Sequence, residues 1–148
     1  MKFVHTNIVA KNWRTLSEFY IKVFGCKIKP PERSLSGAWL DKGTGLQNAK
    51  LEGVHLTMPG HGDNGPTLEI FTYREMKESK LLMANSIGFT HLAFEVEDVD
   101  KTLNEAIKNG AQLLGEVTEK IIDEIGKLKF VYFRDPEGNI IEIQSWGN

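Results

Sequence analysis

Hydrophobic and polar positions change period along the chain in an order that occurs twice. From Lys2 to Ala10, β-branched and apolar residues predict a strand with His5 inside it. Asn12 then stands where an N-cap belongs, and Leu16, Phe19, Tyr20 and Val23 recur at helical spacing up to Gly25, a natural stop. Cys26 to Lys29 reads as a second strand, ended by Pro30 and Pro31. Three further strands are expected at Gly37 to Asp41, Lys50 to Met58 and Thr67 to Tyr73, separated by turn-forming loops at 43–49 and 59–66. Arg74 to Ser86 is a charged connection expected to be partly helical.

The order then begins again. Gly88 to Val96 predicts a strand with His91 inside it, and Asp98 caps a helix whose buried stripe is Val99, Leu103, Ala106 and Ile107, ended by Gly110. Strands are expected at Gln112 to Val117, Glu119 to Asp123, Lys127 to Arg134 and Asn139 to Gln144, with Glu124-Ile125-Gly126-Lys127 as a tight hairpin. The chain therefore reads as a duplicated strand-helix-strand-strand-strand unit. Its expected organisation is α+β and a single domain, with a first βαβββ module at 1–73, a linker at 74–87 and a second module at 88–148. One amphipathic helix cannot cover both faces of a sheet, so each half is expected to pair with the other.

Composition narrows the function. With 148 residues, 41% of them hydrophobic and 26% charged, the sequence has the length and make-up of one globular domain. A net charge of −2 gives no electrostatic footprint for nucleic acid or an anionic membrane. Cys26 has no second cysteine to pair with, which fits a reducing cytosol. Met1 to His5 passes into a strand pattern without an apolar signal region, and no apolar run approaches the ~20 residues that span a bilayer. A cytoplasmic protein acting on a small molecule is the expectation.

Four polar positions change the picture again. In Asp135-Pro136-Glu137-Gly138-Asn139-Ile140-Ile141-Glu142-Ile143, a turn feeds a strand with one carboxylate among isoleucines. Burying an ionised carboxylate alone costs several kcal/mol, so Glu142 needs a cation, a hydrogen-bond network or a water-facing site. Glu69 holds the same place in the last strand of the first half, and His5 and His91 hold matching places in the first strands. Extra residues in the loops at 43–49 and 59–66 account for the longer first half. Taken singly, a strand histidine is usually structural and a strand glutamate usually solvated. Two imidazoles and two carboxylates at repeated positions instead describe a divalent-metal site. His55 and His61 have no counterparts in the repeat, and His61, between Gly60 and Gly62, is expected in an exposed loop.

These residues carry a family resemblance. His5-Thr6-Asn7-Ile8, the helix ending Val23-Phe24-Gly25-Cys26, Gly65-Pro66-Thr67-Leu68-Glu69-Ile70, Thr90-His91-Leu92-Ala93-Phe94 and Phe133-Arg134-Asp135-Pro136-Glu137-Gly138-Asn139 with Glu142 resemble the vicinal oxygen chelate superfamily. That group includes glyoxalase I, methylmalonyl-CoA epimerase, extradiol dioxygenases, and the fosfomycin and bleomycin resistance proteins. The resemblance implies two βαβββ modules forming a partly open, barrel-like sheet around a metal. It also implies a homodimer, since many relatives dimerise.

Residue by residue, His5, Glu69, His91 and Glu142 match the four metal-ligand positions, with a pattern closest to glyoxalase I. The resemblance then implies a lyase or isomerase in which the metal chelates two neighbouring substrate oxygens and Glu69 and Glu142 take and return a proton. Zn, Ni, Co, Mn and Fe all accept such ligands. Two departures argue against glutathione as a co-substrate. Val9 stands where bacterial glyoxalase I tends to have an arginine, and Tyr73 where it tends to have an asparagine. A more apolar cavity is expected, with Phe71, Tyr73, Trp39, Phe94 and Trp146 as wall residues. The alternatives are an extradiol-type dioxygenase and a non-catalytic, antibiotic-binding protein; the intact set of four ligands argues against the second.

Overall fold

Asn12 and Gly25 bracket the first helix, as their chemistry requires. In the computed structural model, which describes residues 1–147, the Asn12 side chain accepts from the N–H groups of Arg14 and Thr15 at 3.1 and 3.2 Å. Gly25 closes the other end in the left-handed conformation, donating to the Ile21 carbonyl. The helix so delimited is α1 (Trp13–Phe24), between strands β1 (His5–Val9) and β2 (Lys27–Ser36). A short helix α2 (Ala38–Thr44) and strands β3 (Lys50–Thr57) and β4 (Thr67–Tyr73) complete the first half. Its sheet has the order β1-β4-β3-β2, with β1 parallel to β4 and the other pairs antiparallel. Helix α1 packs on β3 and β4, burying Leu16, Phe19 and Tyr20 with Ile8, Val54, Leu56, Leu68 and Ile70.

The second half repeats the plan. It runs β5 (His91–Glu95), α3 (Val99–Lys108), β6 (Gln112–Leu113), β7 (Thr118–Ile122), β8 (Gly126–Arg134) and β9 (Ile140–Gly147). The order is β5-β9-β8-β6, with β7 also on β8, so β6 and β7 form one interrupted edge strand. Asp98 caps α3 by accepting from the Lys101 N–H at 2.9 Å. Val99, Leu103 and Ala106 of α3 are buried, as are Phe94, Val131, Phe133, Ile141 and Ile143 of the strands. The fold is α+β, with two mixed sheets of four and five strands, neither closed into a barrel among the described residues. The chain divides into two compact units, Met1–Ser79 and Lys80–Asn148. Among the described residues, no helix is long and apolar enough to cross a membrane.

The turn before β9 is built by one buried carboxylate. Asp135 is 2% exposed, and its Oδ1 accepts from the backbone N–H of Glu137 and of Asn139 at 2.9 and 3.0 Å. The Asn139 amide donates to both carboxylate oxygens, and Gly138, at φ 91°, donates its N–H to the Asp135 carbonyl. Buried Arg134 spans the same turn, donating to the carbonyls of Gly138 and Leu82. This network fixes where β9 starts and hence where Glu142 stands.

Several expectations change. Strand β2 does not end at Pro30 and Pro31 but continues to Ser36, with its pairing to β3 shifting between Lys29 and Arg33. As an edge strand it has one ladder to satisfy, so two missing N–H donors are tolerated. Gly37 to Asp41 is not a strand, because helix α2 forms there. Its Leu40 joins Ala49, Leu51 and Phe71 in a buried cluster, and Asp41 accepts from the N–H groups of Asn48 and Ala49. The connection 74–86 contains no helix, and Ile107, at 42% exposure, lies off the buried stripe of α3.

Cys26, at the end of α1, is 1% exposed, and burial pushes its thiol up to about 11. The thiolate is the nucleophile, so the folded protein is expected to resist a thiol-specific disulfide reagent at pH 8 and to react with one equivalent on unfolding. The raised value also means that the unfolded state loses its proton first, so stability falls as the pH rises from about 9 towards about 11.

Candidate metal centre

Strand register decides which side chains share a face. In the first half Asn7 pairs with Glu69, Glu69 with His55, and His55 with Lys29, so these four residues form a row across the sheet. His5, two residues before Asn7, lies on the same face. Its Nδ1 is 3.3 Å from Glu69 Oε1, and His55 Nε2 reaches the same oxygen from the other side at 3.3 Å. Next along this face Phe71 lies opposite Gly53, where an added Cβ would sit 2.4 Å from the ring. Gly53 therefore makes room for the aromatic ring beside the row, and the rings of His55 and Phe71 are 5.7 Å apart. A cavity of about 250 Å³ opens over the row, lined by Lys2, His5, Lys29, His55, Thr67 and Glu69 among others.

The second half has the same plan with different chemistry. Ala93 pairs with Glu142 and Glu142 with Tyr132, and His91, two residues before Ala93, lies on their face. His91 Nε2 is 3.2 Å from Glu142 Oε2, and its Nδ1 is within hydrogen-bond distance of the Thr90 hydroxyl, at 3.1 Å. An outer partner of this kind orients a ligating imidazole. The Tyr132 hydroxyl hydrogen-bonds Glu142, and its ring stands edge-on to His91 at 5.1 Å and to Phe130 at 5.9 Å. Tyr132 thus occupies the place that His55 occupies in the first half.

The electrostatics follow from these contacts. Partial burial lowers the pKa of His55, Glu69 pulls in the opposite direction, and the charges of Arg33, His5 and Lys29 lower it further. Burial raises that of Tyr132, and the hydrogen bond and charge of Glu142 add to the rise. Burial thus disfavours the charged form of both side chains beside a carboxylate.

In each half one imidazole and one carboxylate stand side by side. An ion about 2.1 Å from each of two ligands separates them by roughly 3.0 Å in octahedral and 3.4 Å in tetrahedral geometry. The imidazole–carboxylate separations of 3.3 and 3.2 Å fall in that interval. Among the described residues no three or more His, Cys, Asp or Glu side chains are gathered to hold an ion, so the fit stands at two donors per half. The structure brings His5 together with Glu69, and His91 with Glu142. Sequence reasoning missed His55, whose signal lay in the hairpin: counting outward from the loop at 59–66 sets it opposite Glu69. Of the expected wall residues, Phe71 and Tyr73 share the Glu69 face and Trp146 the Glu142 face. Phe94 pairs with Ile143 on the core face instead, and Trp39 is 61% exposed on α2. His61 is exposed, as expected.

A family model described as the Glyoxalase/Bleomycin resistance protein/Dioxygenase superfamily matches residues 2–143. The chain belongs to that superfamily. Solved structures of the glyoxalase superfamily share the fold. A glyoxalase family protein from Bacillus cereus aligns with a TM-score of 0.84 at 21% identity, over 100% of this chain and 95% of that one. A glyoxalase/bleomycin resistance protein/dioxygenase family enzyme from Burkholderia phytofirmans aligns with a TM-score of 0.65 at 18% identity, covering 99% and 100% of the two chains. A glyoxalase family protein from Enterococcus faecalis gives 0.61 at 21%, covering 97% and 96%. No curated protein matches the chain in sequence. Membership in the glyoxalase superfamily, the vicinal oxygen chelate group, thus accounts for the α+β fold and its repeated module.

Proposed function

We propose that the chain is a metal-dependent, glyoxalase-like lyase or isomerase that moves a proton on the carbon next to a carbonyl of a small substrate with two neighbouring oxygens. The observation that carries the reading is the repeated pairing of an imidazole with a carboxylate, His5 with Glu69 and His91 with Glu142, at 3.3 and 3.2 Å on corresponding sheet faces. In this reading the modules at 1–73 and 88–148, joined by 74–87, each give two ligands to one divalent ion, Zn, Ni, Co, Mn or Fe. The two pairs come from one chain or from both chains of a homodimer in the cytoplasm.

The bound ion supplies Lewis-acid polarisation of the two substrate oxygens. Glu69 and Glu142 take the proton from carbon and return it. His55, its Nε2 3.3 Å from Glu69 Oε1, orients the carboxylate. Tyr132 orients Glu142 by hydrogen bonding. The rings of Phe71 and Tyr132 exclude water beside each carboxylate.

The test is proton exchange in D₂O, followed by NMR, with metal-loaded protein and a panel of small 2-oxo and 2-hydroxy carbonyl compounds. Exchange at the carbon next to the carbonyl, lost in Glu69→Gln and Glu142→Gln, is the expected result. Fully metal-loaded protein that exchanges nothing but consumes oxygen with a catechol would overturn the reading in favour of ring cleavage.

A further inference from the structure

The side chain opposite each glutamate is what differs between the halves. His55 stands across from Glu69, and Tyr132 stands across from Glu142. The first half thus sets two imidazoles beside one carboxylate, and the second sets one imidazole beside a carboxylate and a phenol. The chain has three tyrosines. Tyr20 is fully buried within α1, and Tyr73 pairs with Leu51, so Tyr132 is the one that strand pairing places directly opposite a proposed ligand.

Three donors of different kinds meet at Glu142. The Tyr132 hydroxyl donates to it, and its Oε2 is 3.2 Å from His91 Nε2. His91 and Phe130 pack edge-on against the Tyr132 ring at 5.1 and 5.9 Å, so contacts on the ring hold the phenol oxygen at the carboxylate. A hydrogen bond between a hydroxyl and a carboxylate oxygen typically spans about 2.7 Å, and two neighbouring donors on an octahedral ion stand roughly 3.0 Å apart. Exchanging the hydroxyl proton for an ion therefore opens this gap by only a few tenths of an ångström. Among the described residues no three His, Cys, Asp or Glu side chains gather around one point, but the third donor of this set is a phenol and lies outside those residue types.

From this arrangement we infer that the second half takes ferric iron through three side chains of its own, His91, Glu142 and Tyr132, with the tyrosine bound as phenolate. This rests on the metal-dependent reading of the same site and adds Tyr132 to its ligands. On binding, the Tyr132 O–H bond breaks, an O–Fe bond forms and the proton leaves to solvent, while the iron stays ferric. The carboxylate and the phenolate offset two of the three charges on the ion. Oxygen donors suit such a hard cation, whereas imidazoles suit the borderline divalent ions, so the two halves differ in the metal they favour. A divalent ion polarises the phenol less and leaves it protonated, and with zinc Tyr132 stays an outer partner of Glu142.

The test is titration of the metal-free protein with ferric nitrilotriacetate, followed by visible absorption, in the wild type, Tyr132→Phe, Tyr73→Phe and Glu142→Ala. Phenolate on ferric iron gives a charge-transfer band in the visible that carboxylate and imidazole ligands do not give. The band is expected in the wild type and in Tyr73→Phe, and it is expected to vanish in Tyr132→Phe and Glu142→Ala. Tyr132→Phe should weaken ferric affinity by about 100-fold or more but zinc affinity by only about tenfold, the cost of losing an outer partner. The ring and its contacts with His91 and Phe130 remain in that variant, so the fold is kept. Iron bound by the wild type without the band, or a band that persists in Tyr132→Phe, would overturn the inference. The metal-dependent reading then still stands if Glu142→Ala weakens zinc binding. Protein that takes up neither ferric iron nor zinc refutes both.

Discussion

Glu142→Ala is expected to lower affinity for a divalent ion by about 100-fold or more, since loss of an outer-shell partner alone costs 10–100-fold and Glu142 is proposed as a direct ligand. It lies on β9 among Ile140, Ile141 and Ile143, where its carboxylate is 3.2 Å from His91 Nε2 and bonded to the Tyr132 hydroxyl. Removing it leaves one imidazole in the second half to hold the ion. The fold should survive, because the isoleucines that anchor β9 face the other way or are buried independently. The Tyr132 hydroxyl, on a half-buried side chain, regains water, so the stability loss should be about 1 kcal/mol. Competition against a chromophoric chelator, with a thermal melt of the metal-free variant, separates the two effects. Full metal affinity in Glu142→Ala would remove this residue from the ligand set.

Asp135→Ala should do the reverse, costing stability while leaving the ligands chemically intact. The substitution strips the acceptor from the N–H groups of Glu137 and Asn139 and from the Asn139 amide, in a turn where Asp135 is 2% exposed. Each buried donor left without a partner costs about 1–3 kcal/mol, and partial hydration of the turn brings the total to about 3 kcal/mol. In a chain of this length that corresponds to a fall in Tm of about 10 °C. Asp135→Asn keeps one acceptor oxygen and should lose less than half as much. Calorimetry of the three proteins checks the order wild type, Asn, Ala. An unchanged melting temperature in the alanine variant would mean that water replaces the carboxylate at no cost. The run Arg134 to Asn139, conspicuous in the sequence, frames the start of β9 through these hydrogen bonds.

How far the sequence could be read follows from where each element gets its stability. Helices α1 and α3 carry their own caps in Asn12, Gly25 and Asp98, and β4 and β9 carry period-2 patterns interrupted by a glutamate, so these were legible locally. Helix α2 was not, because seven residues cannot display a helical period. Its conformation is set by Leu40 docking on Ala49, Leu51 and Phe71 and by Asp41 binding the N–H groups of Asn48 and Ala49. Strand β2 was cut short at two prolines that an edge position tolerates.

The site followed the same rule. Each histidine and glutamate pair was visible because both halves use the same residue types. His55 was overlooked because its counterpart across the repeat is Tyr132, so the comparison that revealed the other four concealed it. Phe94 could have been placed correctly from sequence, since a residue three positions after His91 on one strand must face the opposite side.

Native mass spectrometry of the protein purified without chelator and without a nickel column tests the four-ligand centre most directly. The centre predicts one divalent ion per chain in the wild type, and none in Glu142→Ala or His5→Ala at the same protein concentration. Wild-type protein that stays metal-free when offered Zn, Ni, Co, Mn and Fe, or variants that keep full occupancy, would contradict it.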